Sequence, residues 1–224
     1  MNSDISSSLL KDQIGEFLKA MGHRASAEVI STLEAEIGRL VDSGIAERSL
    51  RVGNKVPDFT LPEALGADVS LSELLEKGPV VVTFYRGGWC PFCDLQLRSY
   101  QTILTEIHRY GGQLVAVSPQ TPDRSLTDVE VKNLSFPVLT DAGNRVARQF
   151  GLVYQLSDAL KALQTGFGNP IPKFNGDDSW ELPMPGTFVL DQEGIVRLAH
   201  VDADYRHRLE PTALLESLER ITKL

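Results

Sequence analysis

Cys90 and Cys93 are the only cysteines of this chain, and just two residues separate them. The apolar run before them, residues 80–85, predicts a buried strand, and residues 94–109 predict a helix. A Cys-x-x-Cys pair at a strand-to-helix junction is typical of proteins that exchange thiols and disulfides. The sequence therefore predicts an α/β protein with a redox pair at this junction.

Composition and charge disfavour several other classes of function. The 224-residue chain has a net charge of −8, which argues against nonspecific binding to nucleic acid or anionic membranes. No apolar run approaches the roughly 20 residues of a membrane span. Residues 1–6 lack the basic and apolar regions of a secretory signal, so we expect a cytoplasmic protein. In that compartment a lone cysteine pair is more often catalytic or redox-sensing than structural.

Residues 4–47 predict two amphipathic helices joined by a short turn, broken at Gly22-His23 and closed near Gly44. Each helix carries one apolar stripe: Leu9, Leu10, Ile14, Phe17, Leu18 and Met21 in the first, and Ala27, Ile30, Leu33, Ile37, Leu40 and Val41 in the second. We predict a helical N-terminal extension over residues 1–50 and a main domain over residues 51–224. The extension either packs on the main domain or forms the arm of a homodimer.

The rest of the chain alternates predicted strands and helices. Extended segments are expected at 56–61, 69–71, 80–85, 113–118, 136–139, 187–190 and 195–200, and helices after Ser70, at 91–109, 122–133 and 144–150, and from Leu209 or Pro211 to the end. Residues 191–194 predict a hairpin turn. This order indicates a mixed central sheet flanked by helices. Residues 156–185, rich in glycine and proline, predict a long surface excursion.

The cysteine pair is suited to redox chemistry because of its position at the start of a helix. Pro91 fits the first helical position, which places Cys90 at the N-cap and Cys93 in the first turn. The positive end of a helix dipole lowers the pKa of a cysteine there. Asp94 opposes thiolate formation and Arg86 favours it, and the sequence does not rank the two.

Two other interpretations of the pair are weaker. A structural zinc ion usually has four protein ligands, whereas the four histidines of this chain are scattered. A buried, inert pair is disfavoured by Gly87-Gly88, which permits a tight turn and close access to the sulfurs. We therefore expect neither a metal nor a cofactor.

Three segments resemble peroxiredoxins of the alkyl hydroperoxide reductase/thiol-specific antioxidant family. They are residues 52–61 with the sequence VGNKVPDFTL, residues 80–93 with the active-site turn, and residues 185–194 with the sequence PGTFVLDQEG. The resemblance covers residues 50–220, and it points to the subgroup that carries Cys-x-x-Cys. It implies a thioredoxin fold, a hydroperoxide substrate, and a thioredoxin- or glutaredoxin-type reductant.

The chain departs from the family pattern at three positions. The family motif Pro-x-x-x-Thr/Ser-x-x-Cys aligns with Arg86, Cys90 and Cys93, so a second thiol replaces the threonine. Pro185 stands where the family has an arginine that polarises the peroxide. We expect Arg86, Trp89, Pro91, Pro185 and Thr187 to support the site, with Arg86 as a substitute donor.

The same segment also resembles thioredoxin and glutaredoxin centres. Trp89-Cys90-Pro91-Phe92-Cys93 is similar to their Cys-x-x-Cys motifs, and Pro185 matches the proline that thioredoxins hold in cis. We therefore expect a cis Met184–Pro185 bond. Thr83 replaces the buried acid of thioredoxins.

Two mechanisms follow, and the two cysteines exchange roles between them. In a peroxidase, Cys93 forms a sulfenic acid and Cys90 resolves it to a disulfide. In a protein disulfide oxidoreductase, Cys90 attacks a substrate disulfide and Cys93 resolves the mixed disulfide. A third hypothesis is a redox-sensing or interaction module without enzymatic activity.

Three further segments carry polar residues that could act at a site. Residues 200–204, with His200, Asp202 and Asp204, are interpreted as a strand end and turn and not as a metal site. Residues 205–208 are interpreted as a polar lead-in to the last helix. Residues 118–120, including Gln120, end a strand and either form a plain turn or line the site.

Overall fold

A computed structural model describes residues 9–64 and 66–223 of the chain. Its helices are α1 (Leu10–Arg24), α2 (Ala27–Asp42), α3 (Leu71–Lys77), α4 (Pro91–Thr102), α5 (Leu104–Arg109), α6 (Pro122–Lys132), α7 (Arg145–Gln149), α8 (Asp158–Gly166), α9 (Ile171–Asn175) and α10 (Pro211–Thr222). Its strands are β1 (Thr60–Pro62), β2 (Asp68–Ser70), β3 (Val80–Phe84), β4 (Gln113–Ser118), β5 (Val138–Thr140), β6 (Val153–Gln155), β7 (Glu181–Pro183), β8 (Gly186–Leu190) and β9 (Val196–Val201). Short 3-10 helices cover Ile45–Arg48 and Ala142–Asn144.

A five-stranded mixed sheet with the order β5-β4-β3-β8-β9 forms the centre of the molecule. Strands β3, β4 and β5 are parallel, whereas β8 runs antiparallel to both β3 and β9. The mixed central sheet flanked by helices confirms the predicted thioredoxin fold. The β8–β9 hairpin is also confirmed, and its turn is closed by the Asp191 carboxylate, which accepts hydrogen bonds from the Glu193 and Ile195 amides.

The central strand β3 is completely buried because hydrophobic cores cover both faces of the sheet. Val80, Val82 and Phe84 point into one core. Val81 and Tyr85 point into the other, which also contains both cysteines. Side chains alternate between the two faces along the strand, and the redox pair lies on the face to which Val81 and Tyr85 point.

The N-terminal helices contribute apolar side chains to both cores. Leu10 and Ile14 of α1 and Ile37 of α2 belong to the core that holds the cysteines. Leu40, near the end of α2, belongs to the opposite core. The two helical stripes are therefore confirmed, except that Leu9, Ala27 and Val41 are exposed. The predicted break at Gly22-His23 is wrong, because α1 continues to Arg24 and α2 begins at Ala27. The predicted start near residue 4 lies outside the described residues. The boundary between an extension and a main domain at residue 50 stays a prediction.

Three further predictions about local structure are wrong. The helix after the cysteines is divided at Ile103, whose ψ of 6° interrupts the regular helix, into α4 and α5. Residues 156–185 are not a surface excursion, because each of their short elements anchors an apolar side chain in the core, including Leu160, Ile171 and Leu182.

The third error concerns the Met184–Pro185 bond. The described residues contain no cis peptide bond, so this bond is trans. The extended chain runs directly from β7 into β8, with the Met184 amide donating to the Leu152 carbonyl and Gly186 paired with Phe84.

Candidate active site

The cysteine pair occupies the N-terminal turn of α4, directly after the central strand. Cys90 is the N-cap residue with extended backbone angles, and Pro91 takes the first helical position, as predicted from the sequence. Cys93 follows in the first turn. Neither residue forms a disulfide, and both side chains are completely buried.

A tight turn at Gly87 leads the chain from β3 to Cys90. Its φ of 146° lies in the region that favours glycine, and a Cβ there would meet the side chains of Trp89 and Gln120. The Gly88 amide donates a 2.8 Å hydrogen bond to Gln120 Oε1. Gln120, one of the residues considered from the sequence, therefore holds the turn that positions the cysteines.

The two thiols share a hydrogen bond, and their pKa values diverge. Burial opposes ionisation of Cys90, yet the Cys93 thiol and the charges of Arg86 and Arg208 hold the pKa of Cys90 well below its usual value. Burial, together with the hydrogen bond and the negative charge of Cys90, raises the pKa of Cys93. Of the two thiols, Cys90 is therefore the one that ionises more readily.

Arg86 is one source of the positive charge at the pair. Only 5% of this residue is exposed, and its guanidinium carbon lies 4.0 Å from the centroid of the Tyr205 ring and 5.1 Å from that of Trp89. Both distances correspond to cation–π contacts. The structure thus brings Arg86 and Trp89 to the cysteines.

Arg208 is the second source, and sequence reasoning missed it. Its Nη2 atom donates to Cys93 Sγ at 3.5 Å, while Nη1 donates to Gln96 Oε1 at 2.6 Å and Nε to the Tyr205 carbonyl at 2.6 Å. The interpretation of residues 205–208 as a polar lead-in is wrong, because Tyr205 and Arg208 are buried. The alternation of apolar Tyr205 and Leu209 with arginines was the available signal that this segment turns inward.

Gln96 connects Arg208 to the interior of the sheet. Its Nε2 atom donates to Tyr100 Oη at 3.0 Å and to Thr187 Oγ1 at 3.2 Å. The Thr187 hydroxyl in turn lies 3.0 Å from that of Thr83. Thr187 therefore reaches the site through Gln96. Gln96 was also missed, although its position three residues after Cys93 places it on the same helix face.

The remaining acidic candidates have partners away from the sulfurs. Asp94 pairs with Arg98 at 3.0 Å along α4. Asp202 lies 2.8 Å from His207 Nδ1, and Asp204 pairs with Arg206 at 2.7 Å. In the described ranges no group of three or more His, Cys, Asp or Glu side chains is placed to hold a metal ion.

Helix α1 contacts the active-site turn through a series of packed aromatic rings. The Phe17 ring packs edge-on against Phe92 at 5.3 Å, and Phe92 contacts Tyr205 at 5.6 Å. Phe92 lies between the two cysteines in sequence, so the N-terminal helix and the redox motif are in direct contact.

This arrangement suits thiolate attack followed by closure of an internal disulfide. A thiolate at a helix N-terminus next to two guanidinium groups is a stabilised nucleophile, and the second thiol lies within reach to resolve the product.

None of the described helices is long and apolar enough to cross a membrane.

Comparisons with known proteins agree with this chemistry. The model of the AhpC/TSA family matches residues 52–199. A Mycobacterium tuberculosis protein, Rv2521, that carries the provisional name peroxiredoxin is 33% identical over 150 residues, which cover 67% of this chain and 84% of the relative. The chloroplastic peroxiredoxin Q of Sedum lineare is 29% identical over 169 residues, covering 75% of this chain and 78% of the relative.

A solved structure, the peroxidoxin BcpB of Mycobacterium tuberculosis, superposes with a TM-score of 0.61 at 25% identity. The superposition covers 77% of this chain and 98% of that one.

Proposed function

This chain belongs to the AhpC/TSA family of thiol-dependent peroxidases, and we propose that Cys93 is the cysteine that attacks the hydroperoxide and Cys90 the one that resolves the product. The contact between Arg208 and Cys93 Sγ carries this proposal. A guanidinium at the attacking sulfur stabilises its thiolate and donates to the peroxide oxygen that becomes negative during attack. Pro185 stands where the family has an arginine. Arg208, from a different part of the chain, thus supplies the cation in its place.

Before the reaction, the two sulfurs together carry one negative charge, with one thiol protonated and the other ionised. The Cys93 proton passes to Cys90 along their hydrogen bond, and the Cys93 thiolate attacks the distal peroxide oxygen. The O–O bond breaks, Cys93 becomes a sulfenic acid, and the alkoxide leaves as an alcohol after taking a proton.

The second step closes the disulfide. The Cys90 sulfur attacks the Cys93 sulfenic sulfur, and hydroxide leaves as water. In total, one thiol, one thiolate, one proton and one hydroperoxide give a disulfide, an alcohol and water. A thioredoxin- or glutaredoxin-type dithiol then reduces the disulfide.

The lowered pKa of Cys90 favours a second candidate function. Burial disfavours its thiolate, but the Cys93 hydrogen bond and both arginines outweigh that effect, so the pKa of Cys90 lies below its usual value and Cys90 ionises more readily than Cys93. In a protein disulfide oxidoreductase Cys90 would attack a substrate disulfide and Cys93 would resolve the mixed disulfide.

Cysteine variants separate the two candidates. Hydroperoxide consumption and insulin-disulfide reduction are measured for the wild type, Cys90→Ser and Cys93→Ser, with sulfenic acid trapped by a dimedone-type probe. We expect Cys90→Ser to form a sulfenic acid without recycling through the internal disulfide, and Cys93→Ser to form none. Rapid reaction of Cys93→Ser with peroxide would overturn the assignment of the attacking sulfur.

The outcome for insulin decides the second candidate. Its reduction by the wild type and a mixed disulfide trapped on Cys90 in Cys93→Ser would support the disulfide oxidoreductase. A chain with neither activity would leave a redox-sensing or interaction module.

Two further properties stay predictions. Recycling by a dithiol requires a reducing compartment, which supports the expected cytoplasmic location. A homodimer is tested by measuring the mass of the reduced protein in solution.

A further inference from the structure

Arg86 is a buried cation without a carboxylate partner in the described part of the chain. Its surroundings are the Tyr205 and Trp89 rings and the Tyr154 hydroxyl, and its Nε atom has no hydrogen-bond partner. The negative charge that most strongly favours its charged form is that of the Cys90 thiolate. Taking a guanidinium out of water is costly unless an anion compensates it.

Arg208 repeats the same situation on the other side of the pair. Its three hydrogen bonds go to a backbone carbonyl, to the neutral amide of Gln96 and to Cys93. The carboxylate of nearby Asp204 is taken by Arg206. Both guanidinium groups also act on the neighbouring Cys90, whose pKa they lower, so the Cys90 thiolate is the anion common to both buried arginines.

Oxidation removes that anion. A disulfide carries no charge, so its formation leaves two buried guanidinium groups facing neutral sulfur. The arginines thus stabilise the reduced form and destabilise the disulfide. A dithiol pair whose reduced form is stabilised is a strong oxidant.

We propose that Arg86 and Arg208 make Cys90–Cys93 a strongly oxidising couple, which low-molecular-weight monothiols of the glutathione class are sufficient to reduce. One monothiol attacks the disulfide and forms a mixed disulfide with one cysteine. A second monothiol attacks the mixed disulfide, which releases the oxidised monothiol dimer and restores the thiol pair. The role of the monothiol as electron donor for peroxide reduction rests on the proposed function, whereas the equilibrium does not.

The redox equilibrium with reduced and oxidised glutathione tests the proposal. The oxidised fraction is measured by alkylation and mass spectrometry, with thioredoxin equilibrated in parallel. We expect the wild-type equilibrium constant for disulfide formation to be at least tenfold lower than that of thioredoxin, a difference of about 30 mV. We expect Arg86→Met and Arg208→Met each to shift the equilibrium roughly tenfold towards the disulfide.

Arg98→Met is the matched control. Arg98 is an exposed arginine of α4, the helix that begins at the cysteines, and its side chain pairs with Asp94. It should leave the equilibrium within twofold of the wild type. A wild-type constant equal to that of thioredoxin, or arginine variants that shift no more than Arg98→Met, overturns the proposal.

A second measurement needs no variant. A strongly oxidising couple is one whose disulfide is less favourable in the folded protein than in the unfolded chain, so the wild type should unfold more readily in urea when oxidised than when reduced. Equal or greater stability of the oxidised form contradicts the proposal even where a variant fails to fold. A strongly oxidising couple without peroxidase activity would leave this inference standing and remove the proposed function.

Discussion

The Nη2 atom of Arg208 lies 3.5 Å from the Sγ atom of Cys93, and the two residues are 115 positions apart in sequence. Helix α4 provides the sulfur, and the segment after β9 provides the guanidinium. Gln96 fixes the geometry between them, since it accepts the 2.6 Å hydrogen bond from Nη1 of the same guanidinium.

Removal of the Arg208 charge should slow the reaction with hydroperoxide. Because one donor to a developing anion is worth about 10²–10³ in rate, we expect Arg208→Met to lower the second-order rate constant by about that factor. Stopped-flow fluorescence of the reduced protein, which contains Trp89 beside the pair, provides the measurement. Arg206→Met is the control, because Arg206 pairs with Asp204 and Glu34 away from the sulfurs. Equal effects of the two variants would contradict the assigned role.

Gln96 should act only through Arg208. We expect Gln96→Leu to slow the peroxide reaction by about tenfold, since one hydrogen bond to a charged group contributes roughly 1.5–3 kcal/mol and the guanidinium keeps its other contacts. In the Arg208→Met background the same substitution should have little further effect. Additive losses in the double variant would mean that Gln96 acts independently of Arg208.

The thiolate of Cys90 should persist well below pH 8.5. Its pKa is lowered because the Cys93 hydrogen bond and the charges of Arg86 and Arg208 outweigh burial. We expect thiolate absorbance at 240 nm to titrate far below the roughly 8.5 of a free cysteine. Arg86→Met should move that titration to higher pH. A wild-type titration near 8.5 would contradict the charge balance.

The same shift predicts how stability depends on pH. The folded state ionises Cys90 at a lower pH than the unfolded chain, so the unfolded chain binds more protons between the two pKa values. Stability from this group is therefore complete above about pH 8.5 and is lost as pH falls through the folded-state pKa. Cys93 is protonated in both states in that window. Urea unfolding of the reduced wild type and Cys90→Ser should diverge with rising pH.

Gly151, between α7 and β6, packs closely against the backbone of Arg48 and Ser49 in the segment after α2. Its φ is 73°, and a Cβ would collide with the Arg48 carbonyl. Gly143, with a φ of 69° and open space around its Cβ position, is the matched control. We expect Gly143→Ala to lose about 1–2 kcal/mol from the left-handed backbone alone, and Gly151→Ala to lose clearly more. Equal losses in the free energy of unfolding, measured by chemical denaturation, would mean that the segment around Arg48 moves aside at no cost.

Phe17 of α1 should limit access to the buried thiols. An aromatic pair contributes about 0.5–1.5 kcal/mol beyond its buried area, so loss of the Phe17–Phe92 contact should raise the alkylation rate of the cysteines about 2–10-fold. The measurement uses Phe17→Ala and a bulky thiol reagent. Phe167→Ala, which removes an exposed ring, is the control. An unchanged rate would indicate that α1 does not govern access.

The strands and the start of α4 could be predicted because local patterns determine them. Residues 80–84 and 113–118 are mostly apolar, as expected for strands covered on both faces. Pro91 fixes the first helical position, which places Cys90 at the N-cap. The elements of 156–185 were missed because each is short and glycines and prolines are frequent in this segment.

The local pattern around Arg208 indicates a segment that turns inward, but it does not identify Cys93 as the partner of Arg208. Arg208 lies beyond residues 52–199, which match the family model, and its neighbours include the exposed His207. Its role depends on folding of the whole sheet, which brings the end of β9 to the start of α4. Only Arg86 was therefore expected to replace the arginine that is absent at Pro185.

The large sequence separation of Cys93 and Arg208 also determines when the site comes into being. A ribosome that has added Cys93 must add 115 more residues before Arg208 exists. Until then Cys93 lacks the guanidinium that contacts its sulfur in the folded protein. The complete set of charges around the redox pair therefore forms only after the segment beyond β9 has been synthesised and has packed against α4.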